Sequence, residues 1–111
     1  MGVTPQALAN TVLKEAFLGS FPINKMELQR ILYLICDDYL KANGKPLLSE
    51  NFENGSMLRS VEYAFRSFGG DTITRFAKDA KDNVYVVNFE CTDVLRSVYK
   101  IWNMYKQGEI A

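Results

Sequence analysis

The chain has 111 residues, 13 basic and 13 acidic side chains, a formal net charge of zero and no histidine. Histidine-based nucleophile pairs and histidine-containing metal sites are therefore excluded, as is an overall basic field steering the chain onto nucleic acid or an anionic membrane. With 48% hydrophobic and 23% charged residues, the composition predicts one folded domain over residues 1–111 rather than a disordered chain.

Thr4-Pro5 opens the first element: Thr4 can accept from a first-turn amide, and Pro5 suits the first helical position because its missing N–H has no partner there anyway. Leu8, Val12 and Ala16, with Leu13 and Phe17 alongside, form a stripe at helical spacing, and Gly19 is the natural stop. Ser20-Phe21-Pro22 reads as a connector. Asn24 followed three residues later by Glu27 has the pattern of a capping box. The helix it starts runs to about residue 42, where Asn43-Gly44 ends it. Leu28, Ile31, Leu32, Ile35, Cys36, Tyr39 and Leu40, widened by Tyr33 and Leu34, cover most of its circumference. A helix apolar nearly all round is expected to be central.

Gly44-Lys45-Pro46 begins a long connector in which Leu47, Leu48 and Phe52 are expected to hold the chain to the body. Asn54 or Ser56 caps a third predicted helix bearing Met57, Leu58, Val61, Ala64, Phe65 and Phe68, closed by Gly69-Gly70. The period then changes. Residues 72–76 and 84–89 are β-branched and aromatic, with a turn-like segment between them, which predicts a β-hairpin; a short helix is the alternative for the first arm. Thr92 is expected to cap a last helix that buries Val94, Leu95, Val98, Ile101, Trp102 and Tyr105 and ends at Gly108. The expected fold is mainly α (α+β in class), a single compact domain of about four helices with a β-hairpin inserted before the last helix.

No hydrophobic run approaches the roughly 20 residues a transmembrane helix needs. No charged-then-apolar leader pattern is visible, and the two cysteines, Cys36 and Cys91, are too few and too far apart for a disulfide framework. These features predict a cytoplasmic protein with both thiols reduced and packed inside.

Little in the sequence points to chemistry. Two isolated cysteines cannot close a zinc site. Asp37-Asp38, near Lys41, reads as a solvated helix face rather than a cation site, since no calcium-loop pattern surrounds it. Gly69-Gly70-Asp71 lacks a phosphate-loop lysine. No cofactor, metal or catalytic residue is predicted. On the third predicted helix, Arg59, Tyr63 and Arg66 form a basic-aromatic stripe, flanked by Glu62. Such a stripe can contact phosphates and bases, but arginine and tyrosine are equally favoured at the centres of protein interfaces.

The segments Leu28-Gln29-Arg30-Ile31-Leu32-Tyr33, Gly44-Lys45-Pro46-Leu47-Leu48 and Phe52-Glu53 resemble the Panacea domain of SocA-type and GepA-type proteins. Ser60-Val61, Ala64-Phe65, Phe68-Gly69 and Ile73 follow in the same order, as do Trp102 and Tyr105 in the last helix. The chain departs from that pattern between Phe52-Glu53 and the third predicted helix. Asn54-Gly55-Ser56-Met57-Leu58 stands there without the family's tryptophan and aromatic-Gly-Pro-Val segment. The resemblance implies a phage-associated, antitoxin-like domain that neutralises a toxin protein by binding it.

The function expected is therefore non-enzymatic binding of a partner protein, a cognate toxin being the implied case, with Arg59, Tyr63, Arg66 and Tyr105 as candidate partner-binding residues. The alternatives are a nucleic-acid-binding or transcriptional accessory module, disfavoured by the neutral charge, and a homodimer formed through the same apolar residues.

Overall fold

In the computed structural model, residues 3–48, 59, 61, 72–78, 81, 83–85 and 92–109 are described. They are mainly helical: α1 spans Pro5–Leu18, α2 Lys25–Asn43 and α3 Thr92–Lys106. α2 and α3 are the principal packed pair, and α1 lies against both. The radius of gyration is 12.9 Å, against about 13 Å for a compact chain of this length.

Local chemistry sets the helix ends. Thr4 Oγ1 accepts from the Ala7 N–H at 3.1 Å, with Pro5 first in the helix. At α2 the capping box is complete: Asn24 Oδ1 accepts from the Glu27 N–H at 2.8 Å and Glu27 Oε1 from the Asn24 N–H at 3.0 Å. α2 ends at Gly44, which takes the left-handed conformation at φ 74° and donates to the Leu40 carbonyl. α3 ends in a Schellman arrangement at Gly108, also at φ 74°, with Glu109 N–H on the Met104 carbonyl and Gly108 N–H on that of Tyr105.

α1 stops at Gly19 as expected, but the turn does not use that glycine's conformational freedom, since its φ is −91°. Its Schellman bonds run from Phe21 N–H to the Ala16 carbonyl and from Ser20 N–H to that of Phe17. The left-handed residue is therefore Ser20, at φ 53°. Thr92 is the first residue of α3 rather than its cap.

The core is one cluster. α1 contributes Leu8, Ala9, Val12, Leu13 and Ala16; α2 contributes Leu28, Ile31, Leu32, Ile35 and Tyr39; α3 contributes Val94, Val98, Ile101 and Trp102. Leu48 and Ile73 join it from the connecting segments, and Leu47 packs on its edge, as expected of that connector. α2 is not enclosed all round, however. Tyr33 and Leu40 face solvent, together with Met26.

The expectation of four helices and a hairpin is met only in its helical character. Among the described residues there are three helices and no strand longer than an isolated bridge. Arg59 and Val61 are helical; the rest of the third predicted helix, Phe52 and most of the second hairpin arm lie outside the described residues. The first arm does not run as a strand along the second. Thr72 forms an antiparallel bridge with Asn24, and the Ile73 N–H donates to the Ile23 carbonyl at 2.8 Å. Pairing this segment with the α1–α2 connector buries Ile73 beside Ile23, which a free hairpin arm would not do. One antiparallel bridge, Lys78 with Val84, marks the chain reversal.

Candidate functional site

The four sequence-derived candidates fall in different settings. Arg59 is exposed on helical backbone, while Tyr63 and Arg66 lie outside the described residues. Tyr105 is half-buried. Its ring stacks on Trp102 at a centroid distance of 5.8 Å and meets Phe21 edge-on at 5.6 Å, and its hydroxyl donates to Glu27 Oε2. Burial and the adjoining Glu27 carboxylate raise its pKa above the usual phenol range. Tyr105 thus ties the end of α3 to the capping box of α2, a structural role that a helix-spacing argument does not reveal.

Groups with chemical potential are also occupied. The half-buried Cys36 thiol is pushed up to about 12 by burial, which leaves it protonated and inert at neutral pH. Cys91 lies outside the described residues. Asp37 pairs with Lys41 at 2.8 Å across one helical turn, as its spacing predicts. Asp38 departs from the expected solvated face. One position further round α2, it meets α3, accepting from Ser97 Oγ at 2.8 Å and from Lys100 Nζ at 2.7 Å. Burial alone would raise its pKa, but those two hydrogen bonds and the Lys100 charge outweigh it and hold the carboxyl below its ordinary value. Both donors stabilise a carboxylate, so this trio clamps two helices and generates no nucleophile. Among the described residues, no group of three or more potential metal ligands gathers and no buried polar side chain lacks a partner.

Two surface features remain. At the end of α1 an open groove of about 490 Å³ runs between the α1–α2 connector and the segment at 72–74. Phe17, Phe21, Pro22 and Ile73 give it apolar walls, and Ser20 and Thr74 line it with hydroxyls. Its floor is firm, because Phe21 is wedged against Trp102 and Tyr105 and Phe17 meets Phe76 edge-on at 5.0 Å. Leu18, the residue after Phe17, is 75% exposed. The second feature is the outer face of α2 with its exposed Met26, Tyr33 and Leu40. Sequence reasoning assigned Tyr33 and Leu40 to the buried arc. The missed signal is the seven-residue spacing from Met26 to Tyr33 and from Tyr33 to Leu40, with Arg30 and Asp37 interleaved. No helix of the described residues is long and apolar enough to cross a membrane.

Compared with known proteins, the chain matches no family model, no curated protein and no solved structure.

Proposed function

We propose that this protein works without chemistry of its own, by binding and occluding a partner protein in the cytoplasm, in the manner of the antitoxin domains its sequence resembles. The observation that carries the proposal is the groove at the end of α1. An apolar trough with an aromatic floor is what a partner side chain can fill. The neutral net charge favours a protein over a polyanion as the occupant. In the same reading a fourth helix extends through Arg59 and Val61, and the reversal between Lys78 and Val84 is the closed end of a hairpin. Helical backbone at the first pair and the antiparallel bridge at the second support this.

Co-expression with the product of the adjoining gene, followed by affinity capture and size exclusion, tests the function. A co-eluting complex is expected, weakened at least about tenfold by Thr74→Arg, because the change puts charge at the groove without touching the core. Two proteins that never co-elute, whichever carries the tag, would overturn the proposal.

A further inference from the structure

The outer face of α2 is organised too regularly for ordinary surface. Met26 is 58% exposed, Tyr33 40% and Leu40 45%. Each lies seven residues from the next, about 10.5 Å along the axis, and a row at that spacing drifts by only about 20° per step. The three side chains therefore share one stripe. Arg30, Asp37 and Lys41 flank it on one side. Arg30 is exposed and makes no ion pair or hydrogen bond among the described residues. Asp37 is accessible despite its pairing with Lys41.

This stripe is complementary to itself. A two-fold axis level with Tyr33 and perpendicular to α2 reverses the helix direction and keeps each flank on its own side. Met26 then faces Leu40 of the second copy, since both lie seven residues from Tyr33, and Tyr33 faces Tyr33. Arg30 lies three residues before the axis and Asp37 four after it, so the two meet across the seam within one residue rise, about 1.5 Å. Two-fold symmetry makes that ion pair twice. A parallel arrangement would carry the Arg30–Asp37 flanks of the two copies to opposite sides of the seam, so neither ion pair could form. Charge and apolar pattern thus agree on one occupant and one orientation.

We infer that the protein forms a symmetric homodimer in which α2 packs antiparallel against α2 of a second copy, through Met26, Tyr33 and Leu40 and flanking Arg30–Asp37 pairs. This face is separate from the groove at the end of α1, so dimerisation and capture of a foreign partner stand or fall independently.

Sedimentation equilibrium of the full chain tests the inference through charge exchange. The chain mass is 12.6 kDa, and a species of twice that mass is expected at high concentration. Arg30→Asp alone sets acid against acid, and Asp37→Arg alone sets base against base. Each single variant should dissociate at least about tenfold more readily. An equimolar mixture of the two should recover the dimer, because every crossing pair is then opposite in charge; the double variant should recover it as well. Tyr33→Arg, which places two cations on the axis, should abolish association. Arg30 and Tyr33 are exposed and Asp37 is half-buried at the surface, and far-UV circular dichroism confirms that each variant remains helical. A monomer at every concentration, or a dimer indifferent to Tyr33→Arg and to charge exchange, would overturn the inference.

Discussion

Asn10 is buried in α1 with every hydrogen-bonding group of its amide engaged. Nδ2 donates to the carbonyls of Ala77 and Tyr85, each at 2.9 Å, and Oδ1 accepts from the Ala77 N–H at 2.8 Å. The amide reinforces a chain reversal that, among the described residues, carries only one isolated bridge. Asn10→Leu strands two backbone groups, the Ala77 N–H and the Tyr85 carbonyl, since the Ala77 carbonyl keeps the Tyr85 N–H, and is expected to cost roughly 2–5 kcal/mol in urea denaturation. Asn10→Asp should cost at least as much at neutral pH, because a carboxylate oxygen then faces two carbonyls. From sequence this residue is one polar position among the apolar ones of α1, and nothing local shows what it will bind. Ser20 was equally hidden, since a neighbouring glycine seemed sufficient to end the helix. Ser20→Gly relieves a left-handed backbone and is expected to stabilise by about 1 kcal/mol. Gly19→Ala should change stability by less than about 0.5 kcal/mol, for an added Cβ would lie 3.5 Å from the Glu15 carbonyl, an ordinary contact. Thermal melts of the two variants check both expectations.

At the scale of elements, α1 and α2 were legible because their caps are local chemistry. Thr4-Pro5, Asn24 with Glu27, and Gly44 announce helix ends from a few consecutive residues, and the structure uses each of them. What each helix does with its sides is not local. The apolar arc of α2 was drawn too wide, because hydrophobicity alone does not distinguish a side chain facing the core from one facing solvent when the two are neighbours on the helix. The Asp38 clamp to α3 was missed for the same reason: its partners lie 59 and 62 residues away. That clamp carries a pH signature. A carboxyl held below its unfolded value of about 3.9 adds stability that is fully present above that pH and is lost as pH falls through the lowered value. Asp38→Asn is therefore expected to lower the urea midpoint at pH 7, with the gap to the unaltered protein closing below about pH 4. A gap that persists undiminished to the acid limit would mean that the carboxylate charge contributes nothing to the clamp.

For the molecule as a whole, helical periodicity identified three helices and most of the core. It did not identify which segments pair between elements. Residues 72–76 have the composition of a strand, but the structure spends that backbone on the α1–α2 connector, where Ile73 reaches the core beside Ile23. Composition states what a segment can pair with, and burial decides what it does pair with. The groove follows from the same pairing, since its second wall is residues 72–74. Neither the groove nor the outward stripe of α2 contains an unusual residue type. Both arise from ordinary apolar side chains that the fold leaves uncovered.

The reach of Asn10 also bears on synthesis. Its carbonyl acceptors lie 67 and 75 residues further along the chain. A nascent polypeptide can wind α1 and α2 as they leave the ribosome, but α1 then waits with a hydrated amide and a bare apolar stripe until the distant segment has been translated. The long closure delays docking. Throughout that interval the first half of the molecule is a client for chaperones, and a pause in translation before residue 85 would leave it exposed to aggregation and degradation.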